Sequence, residues 1–455
     1  MIPNLSVTRP ESGKLPAGEE TIPARLKSGV VFVTPAPRML QAGAVWVTIN
    51  NWLEACRRRW GETVVVTPDG VLTEEEVRRT AWGGGPGVGP SRRGLPHLPR
   101  ELEAMAKDAR SLVRMARFHR SVRSLSPAMA PLFVWQHHDL FQLAGFDLAR
   151  RYRCPLVLFV DAPQVWESRK WGIRRPGWGS LVERWGESWQ FRRADLVACV
   201  SDAVAEAVIA RGAAPERVIV TPCTADAIRS AVPGRDRRRE WGLDDEVVVG
   251  WVGSFRPFHQ AEGIVRAVAT LQTKQPPVLL MVGEGPTRSR CEALAQRLGV
   301  RRALFPGAVP HAEIPDYLRA IDVAVIPGGS GPGFHYSPLK LKEYLAAGRA
   351  TVAPRVGEML RMLDNGSDAL LYDAGDEEGM ATAIRALVED PDLRTGVGSR
   401  GRATYDRLFT MDRQLDLVSE RLRLPPGNQA PALAPGALDP AGAGHGPLSP
   451  AGNGD

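Results

Sequence analysis

Short apolar runs alternate with longer amphipathic segments along most of the chain. In the first half the runs are Gly29–Val33, Thr63–Thr67, Pro131–Trp135, Pro155–Val160, Ala194–Asp202 and Arg217–Pro222. In the second half they are Glu246–Gly253, Val278–Pro286, Ala303–Pro310, Val323–Ile326 and Thr351–Ala353. Runs of this length, separated by helical segments, are typical of buried strands joined by crossover helices. The sequence therefore predicts an α/β protein with parallel sheets and flanking helices.

The alternation of strands and helices stops once and then starts afresh, which divides the chain into two units. The break falls in the arginine-rich run Gly234–Glu240. We therefore expect an N-terminal Rossmann-like domain at residues 29–232, a linker at 233–240 and a C-terminal Rossmann-like domain at 241–410. An amphipathic segment at 411–424 predicts one further helix.

The two ends of the chain lack a pattern that builds a core. Residues 1–28 are polar with scattered Pro and Gly, and they are predicted to be a flexible leader. Residues 425–455 are rich in Pro, Gly and Ala, and they are predicted to be a disordered tail. No apolar run has the length of a membrane span, and the N-terminus lacks the order of a secretory signal, so a cytoplasmic protein is expected.

Charge and cysteine content narrow the range of functions. The formal net charge of +7 comes with arginine clusters that are scattered rather than striped, which favours solvated helix faces over a nucleic-acid-binding surface. A weak attraction to an anionic membrane surface or to phosphorylated substrates stays open. The five cysteines are widely spaced and form no C-x-x-C pair, so neither a zinc site nor a disulfide framework is predicted.

The stretch from Gly328 to Ala353 combines a glycine-rich loop with a short helix. It reads GGSGPGFHYSPLKLKEYLAAGRATVA and follows an apolar strand. Ser337 and Pro338 are a good cap and first-turn pair, and Gly348 is a good stop. A strand, glycine loop, helix and strand in this order place the positive end of a helix dipole where a phosphate can bind.

The segment SPLKLKEYLAAGRATVA resembles the donor-binding signature of retaining, nucleotide-sugar-dependent glycosyltransferases of the GT-B fold, family 4 (glycosyl transferases group 1), in the subtype SPxKLxEYMAxG. The resemblance implies two Rossmann-like domains facing a central cleft, an N-terminal acceptor domain and a C-terminal nucleotide-sugar donor domain. It also implies that the helix at 411–424 crosses back to the N-terminal domain. Glu343 matches the second glutamate of the E-x7-E motif, which implies that it accepts hydrogen bonds from the ribose hydroxyls. His335 occupies the position of the first glutamate of this motif, and the subtype SPxKLxEYMAxG also lacks that glutamate. A histidine there can hydrogen-bond a sugar hydroxyl or a phosphate.

The resemblance also implies a set of donor-binding positions. The family loop G-R-x-x-x-x-K-G places its Arg and Lys at Ser254 and His259, so we expect Arg256 to supply a cation and a neutral His259 to donate a hydrogen bond. Val309 lies where family members contact the nucleobase through backbone groups. The expected donor-binding residues are Gly253, Ser254, Arg256, His259, Gly283, Gly285, Val309, Gly333, Phe334, Ser337, Lys340 and Glu343.

Three histidines are the expected catalytic residues. His137 and His138 follow the strand Pro131–Trp135, where parallel sheets place ligands, and His335 occupies the motif position described above. We expect at least one of His137 and His138 to be structural. The tryptophans between residues 164 and 193 form either an acceptor surface or part of the core, and Trp185 and Trp189 have the helical spacing of core residues.

The resemblance implies transfer of a sugar from a nucleotide-diphosphate donor to an acceptor hydroxyl, with retention of anomeric configuration. No cofactor and no metal are expected, since the nucleotide sugar is itself the donor substrate. The acceptor class stays open between a small molecule, a glycan and a lipid-linked molecule, and the oligomeric state stays open too. Two alternatives remain, a binding or scaffold subunit with weakened catalysis and a sugar-nucleotide epimerase of the same fold.

Overall fold

The structure of the 455-residue chain is a computed structural model. It describes residues 29–35, 44–72, 76–77, 100–243, 245–328, 337–425 and 427. The predicted leader, most of the predicted tail, and the predicted site residues Gly333, Phe334 and His335 lie outside the described residues.

The first domain is built on a seven-stranded sheet whose strands are apolar and mostly buried. The strands are β1 (Gly29–Val33), β2 (Glu62–Thr67), β3 (Gly70–Leu72), β4 (Phe133–His137), β5 (Leu156–Val160), β6 (Leu196–Cys199) and β7 (Val218–Val220). Their order is β3-β2-β1-β4-β5-β6-β7, and all neighbours are parallel except the β2–β3 hairpin. Burial on both faces explains why these strands read as continuous apolar runs.

The second domain is built on a six-stranded parallel sheet. Its strands are β8 (Val248–Val252), β9 (Val278–Val282), β10 (Ala303–Gly307), β11 (Val323–Val325), β12 (Ala350–Pro354) and β13 (Leu370–Tyr372). The order β10-β9-β8-β11-β12-β13 reverses direction between β8 and β11. The two Rossmann-like domains with parallel sheets confirm the predicted fold class.

Helices cover both sheets, as crossover connections require. The helices between residues 44 and 241 are α1 (Ala44–Trp60), α2 (Arg100–Arg123), α3 (Ala144–Tyr152), α4 (Gln164–Lys170), α5 (Gly179–Leu181), α6 (Trp189–Arg193), α7 (Asp202–Ile209), α8 (Asp226–Arg229) and α9 (Arg237–Trp241). A π-helical turn at Val182–Ser188 lies between α5 and α6. The others are α10 (Glu262–Ala269), α11 (Arg288–Arg297), α12 (Ile314–Ala320), α13 (Leu339–Ala346), α14 (Gly357–Met362), α15 (Glu377–Glu389), α16 (Pro391–Leu408) and α17 (Met411–Leu422). Among the described residues, no helix is long and apolar enough to cross a membrane.

The chain passes from the first domain to the second just after β7. The side-chain amide of Asn51 donates to the carbonyl of Thr224 at 3.0 Å, which ties this passage to α1. Ala225 and Ile228 already pack into the core of the second domain. The passage therefore lies ahead of the predicted linker at 233–240, because two apolar side chains find a buried place in the second core before that linker begins.

A buried polar cluster holds the passage against the C-terminal helices. The Tyr405 hydroxyl accepts a hydrogen bond from the backbone N–H of Ala225 at 2.9 Å and donates to the Asp226 carboxylate at 2.8 Å. The other Asp226 oxygen accepts from the backbone N–H of Met411 at 2.7 Å. Asp226 thus fixes the point where α17 turns back, and Met411 packs in the core of the first domain.

Two contacts join the domains at the rim of the cleft. The rings of Trp171 and Phe258 lie with their centroids 6.3 Å apart, and each residue is about half exposed. The Arg361 guanidinium lies 2.7 Å from the Asp202 carboxylate, with both side chains partly exposed. These contacts involve few atoms and are accessible to solvent, in contrast to the buried cluster at the passage.

We expect Tyr405→Phe to lower the free energy of unfolding by about 1–3 kcal/mol, because it leaves a buried backbone N–H and a buried carboxylate oxygen without their partner. Urea unfolding followed by tryptophan fluorescence measures this change. Tyr152→Phe is the matched control, since the Tyr152 hydroxyl makes one bond to a backbone carbonyl, that of Ser126 at 2.9 Å, in a less buried place. Equal losses in the two variants would contradict the role assigned to the cluster.

Candidate functional site

The predicted site lies at the carboxyl edge of the second sheet. The strand order reverses between β8 and β11, so the connections that leave these two strands run to opposite sides of the sheet. A crevice opens at such a point, and open α/β sheets bind ligands there. The loop after β8, the loop after β9 and the start of α13 all reach this crevice.

Two predicted glycines, Gly283 and Gly285, allow the loops after β8 and β9 to pack against each other. A Cβ on Gly283 would lie 1.9 Å from the carbonyl oxygen of Gly253, and one on Gly285 would lie 2.8 Å from the backbone nitrogen of Phe255. Gly283 and Gly285 also have φ values of +131° and +154°, which other residues rarely adopt. The loop after β8 therefore packs on one side against the loop after β9, and its other side faces the crevice.

Lys340 from the first turn of α13 lies against this loop. A Cβ on Gly253 would meet the Lys340 Cε at 2.4 Å and its Nζ at 3.0 Å, so a glycine is needed there. The ammonium also lies 5.6 Å from the centre of the Trp251 ring. Ser254 and Arg256, further along the same loop, are exposed. The loop thus brings one half-buried cation and one exposed cation to the crevice.

His259 provides a polar but uncharged group beside these cations. Its Nε2 lies 3.3 Å from the Ser254 hydroxyl, and its ring packs on Phe258 with the centroids 4.2 Å apart. Burial, together with the smaller effects of the Lys340 and Arg256 charges, lowers the pKa of His259 to about 3. A histidine with this pKa is neutral at pH 7, as the sequence analysis expected of this position.

Glu343 lies one helical turn after Lys340 and is buried. Burial raises the pKa of Glu343 to about 7, against the lowering effect of Lys340. Burial likewise lowers the pKa of Lys340 to about 8, against the raising effect of Glu343. In the free protein, burial therefore disfavours the charged forms of Glu343 and Lys340. A ligand that interacts with the Glu343 carboxylate and the Lys340 ammonium stabilises these charged forms.

The glycine-rich loop connects two anchored ends. At its start, the backbone N–H of Gly328 donates to the Tyr372 hydroxyl at 2.9 Å, and the Gly328 carbonyl accepts from the N–H of Gly375 at 3.0 Å. At its end, the Ser337 hydroxyl accepts from the backbone N–H of Cys223 at 3.1 Å. Both ends of the loop are therefore fixed by the second domain and by the passage between domains.

The prediction that Ser337 caps α13 is wrong. Pro338 occupies the N-cap position, and no side chain caps the helix. The Ser337 hydroxyl accepts instead from the Lys342 ammonium at 2.6 Å and from the backbone N–H of Cys223. The Lys342 ammonium and the Cys223 N–H therefore donate to this hydroxyl, and the N–H groups at the start of the helix do not.

Lys342 and Glu358 form a fully buried ion pair behind the site. The Lys342 ammonium contacts a Glu358 oxygen and lies 4.9 Å from the centre of the Phe409 ring. The second Glu358 oxygen finds no hydrogen-bond partner in the part of the chain that the structure describes. The pair holds α13 against α14, and through Ser337 it reaches the passage between the domains.

On the first-domain side, His137 at the end of β4 pairs with Asp161 at the end of β5. The His137 Nε2 lies 2.6 Å from the Asp161 carboxylate, which is about half exposed, whereas the imidazole is nearly buried. Among the described residues, the His137 Nδ1 has no hydrogen-bond partner. The pair therefore presents an oriented imidazole and a carboxylate at the carboxyl edge of the first sheet.

His138 is enclosed by the first domain. Its ring packs on Phe191 with the centroids 5.1 Å apart, and its Nε2 lies 3.9 Å from the buried Glu187 carboxylate. Burial lowers the pKa of His138 to about 3. Glu187 accepts hydrogen bonds from the backbone N–H groups of Gln164 and Val165, at the start of α4. His138 thus has the surroundings of the structural histidine that was expected in this pair.

Cys223 connects the two sides of the cleft. The pKa of the Cys223 thiol is raised to about 12, mainly by burial; Lys342 lowers this pKa, and Asp161 and Glu358 raise it. Charged groups from both domains, Asp161 on the first and Lys342 on the second, therefore lie near Cys223. The structure brings the His137–Asp161 pair to the same cleft as α13.

Val309, Trp185 and Trp189 are the remaining predicted positions that the structure describes. Val309 is partly buried, and the loop that carries it lies next to Gly283, whose N–H donates to the Gly307 carbonyl at 2.9 Å. Trp189 packs on Phe146, but Trp185 is 58% exposed, so the prediction that Trp185 belongs to the core is wrong. The π-helical turn that contains Trp185 shifts the helical register, which the spacing argument did not include.

Sequence reasoning missed several groups that shape the site. The pattern around Tyr344 and Tyr372 shows ordinary apolar positions, yet the Tyr344 hydroxyl accepts from the Val252 N–H at 2.9 Å and the Tyr372 hydroxyl anchors Gly328. Lys342 reads as an exposed lysine on an amphipathic helix. Asp161 was visible as a polar residue just after a predicted strand, and that was the signal for its pairing with His137.

Comparisons with known proteins agree with this geometry. Residues 43–224 match the family described as Glycosyl transferase 4-like domain, and residues 246–390 match the family described as Glycosyl transferases group 1. Each half of the chain therefore matches a glycosyl transferase domain family. These matches confirm the coarse form of the resemblance seen in the sequence.

Curated glycosyltransferases match the chain to different extents. The lipopolysaccharide core biosynthesis glycosyltransferase LpsD of Rhizobium meliloti is 35% identical over 179 residues, which is 38% of this chain and 49% of LpsD. LpsE of the same organism is 29% identical over 345 residues, 73% of this chain and 96% of LpsE. The chain thus spans about half the length of LpsD.

A solved structure shares the fold of this chain. The crystal structure of Anabaena HepE in complex with UDP and glucose covers 87% of this chain and 99% of HepE, with a TM-score of 0.60 and 17% sequence identity. At this identity the likeness concerns the fold.

The two perturbed groups predict a pH dependence for binding of a nucleoside diphosphate. Glu343 accepts hydrogen bonds best when ionised, so affinity should fall as the pH drops below about 7, by up to about tenfold per unit. Lys340 attracts phosphate when charged, so affinity should also fall above about pH 8. Calorimetric titrations across pH 5.5–9.5 check this maximum.

Two variants separate the two arms of that profile. Glu343→Gln should flatten the acidic arm, and Lys340→Arg, which stays charged throughout, should flatten the alkaline arm. Because both variants are titrated with the same nucleotide, the ionisation of the nucleotide itself cancels in the comparison. An alkaline arm that survives in Lys340→Arg would rule out Lys340 as its source.

Proposed function

We propose that this protein transfers a sugar from a nucleotide-diphosphate donor to an acceptor hydroxyl with retention of anomeric configuration. The observation that carries the proposal is the meeting of Lys340, the glycine-backed loop after β8 and the buried Glu343 at one crevice. The family match supports a glycosyl donor for this crevice. HepE, which shares the fold, binds UDP and glucose, so uridine diphosphate is the first nucleotide to test.

The donor would be held by groups suited to each of its parts. Lys340 and Arg256 neutralise the diphosphate, and the backbone of Gly253 and Ser254 approaches it closely. His259 contributes a neutral hydrogen bond. Glu343 accepts both ribose hydroxyls, since one carboxylate can accept two donors at once.

Catalysis in this proposal rests on leaving-group stabilisation rather than on a covalent nucleophile. Lys340 and Arg256 stabilise the charge that develops on the departing diphosphate, and the protein holds them in place before the reaction begins. The acceptor hydroxyl approaches the face from which the diphosphate departs, and this gives retention. The His137–Asp161 pair orients the acceptor or the donor sugar, and His335 takes the position of the family glutamate. No metal or cofactor has a step in this scheme.

Nucleotide binding tests the donor site. In calorimetric titrations against UDP, GDP, ADP and dTDP, we expect saturable binding of one nucleotide. Glu343→Ala should weaken that binding at least about tenfold, because it removes charge-assisted hydrogen bonds. Glu389→Ala, at an exposed glutamate on α15, is the matched control and should bind like the wild type.

Turnover separates the proposed transferase from the two alternatives. Release of the nucleotide from its sugar donor in the presence of an acceptor extract, lost in Glu343→Ala, is the expected result. A folded protein that binds no nucleotide would support a binding or scaffold subunit. Conversion of the sugar nucleotide without an acceptor would support an epimerase.

A further inference from the structure

Helix α2 is fixed on the first domain by one face. Its buried residues are Ala104, Asp108, Ser111, Phe118, Ser121 and Val122. The Asp108 carboxylate accepts two hydrogen bonds from Arg175, at 2.8 and 3.0 Å, and one from the indole of Trp178 at 3.1 Å. These buried bonds set the rotation of the helix about its axis, so the opposite face has to point outward.

That outward face carries a row of apolar side chains, which we name the α2 stripe. Its members are Leu102, Met105, Ala109, Leu112, Val113 and Ala116, all exposed. They follow one another at intervals of three, four, three, one and three residues, which places them along one side of an α-helix over about four turns. Leu102, Met105, Leu112 and Val113 are 42%, 49%, 44% and 57% exposed.

A stripe of this kind differs from single exposed apolar residues, which need no explanation. The helix already buries a second, separate face, so the stripe does not serve the core of the first domain. No described part of the chain covers it, since its four large side chains keep about half of their surface accessible. Contiguous exposed apolar surface of this kind marks an interaction site.

The charges around the stripe change along the helix. Glu101 and Glu103 flank its first residue, Leu102, in the first turn. Arg110 and Arg117 are exposed beside the stripe, and Arg120 and Arg123 continue its line at the C-terminal end of the helix. After Asp108, which is paired with Arg175, α2 carries no acidic residue, so the stripe is bordered by basic residues over its C-terminal part. A helix with an apolar row and a basic border fits a surface that is apolar inside and anionic outside.

The position of α2 relates the stripe to the cleft. Arg114 contacts the Asp139 carboxylate, and Asp139 directly follows His137 and His138. At the other end, the Arg100 guanidinium lies near Gly172, next to the rim residue Trp171. The helix therefore runs along the first-domain side of the cleft, where the acceptor is expected to enter.

We propose that the α2 stripe docks this protein on an anionic lipid bilayer. Leu102, Met105, Leu112 and Val113 insert among the lipid headgroups, and the arginines contact lipid phosphates. A second copy of the chain is the less favoured partner, because two such faces would bring rows of arginine together. The docking does not depend on the proposed transferase activity, and it would place the acceptor side of the cleft next to the membrane.

Vesicle co-sedimentation of the full chain tests the proposal. The wild type should bind vesicles of phosphatidylcholine with 30% phosphatidylglycerol, bind pure phosphatidylcholine vesicles weakly, and lose binding as salt rises. Leu112→Glu with Val113→Glu should reduce binding at least about tenfold, because two charges replace the inserted side chains. Arg110→Gln with Arg117→Gln should reduce binding to the anionic vesicles and leave the weak neutral binding unchanged. Leu298→Glu, at a residue 42% exposed on the second domain, is the matched control and should bind like the wild type.

Three results would overturn the proposal. The first is no binding of the wild type to anionic vesicles, and the second is equal binding by the Leu112→Glu, Val113→Glu variant. The third is a wild type that sediments as a dimer without vesicles while that variant is a monomer, which would assign the stripe to a second copy. Nucleotide titrations of the same variants keep the question separate from the donor site, since they should match the wild type whichever result is found.

Discussion

The structure depends on the hydrogen bonds that hold the chain where it passes between its two sheets. Tyr405 and Asp226 satisfy the buried backbone groups of Ala225 and Met411 at one point. The same short segment contributes the N–H of Cys223 to Ser337, at the entrance of α13. The relative position of the domains and the end of the glycine-rich loop are thus set by adjacent residues, and the two sides of the cleft cannot be positioned independently of each other.

At the crevice, Lys340 and Glu343 are buried, and their mutual attraction does not fully offset the cost of burying their charges. Lys340 and Glu343 are close enough to influence each other, yet burial moves the pKa of each toward its neutral form. The Lys342–Glu358 pair differs, because its charges are in direct contact and face away from the crevice. One pair is thereby available to a ligand and the other supports the helix. This division separates two lysines that stand two positions apart in the sequence.

The sequence was informative wherever a single residue type satisfies a physical requirement. The positions of Gly253, Gly283 and Gly285 followed from the family resemblance, and the structure gives a reason for glycine there, since a Cβ would lie too close to Lys340 at Gly253 and to the loop after β8 at Gly283 and Gly285. Buried parallel strands need apolar runs, so the sheets could be predicted. Partners far apart in the sequence could not, since nothing in the pattern near Lys342 indicates Glu358, and nothing near Asp226 indicates Tyr405. Local rules failed where tertiary contacts were stronger, as at Ser337, and where the π-helical turn exposed Trp185.

The rim contacts have a consequence for how often the cleft opens. An aromatic pair such as Trp171 with Phe258 is worth about 0.5–1.5 kcal/mol, and an exposed ion pair such as Arg361 with Asp202 about 0.2–1 kcal/mol. Together they favour the closed rim by roughly 1–2 kcal/mol, which corresponds to a closed-to-open ratio of roughly five to thirty. As far as these two contacts decide it, the rim of the unliganded protein is parted for a few per cent of the time or more, and the cleft opens without a rare rearrangement of the fold.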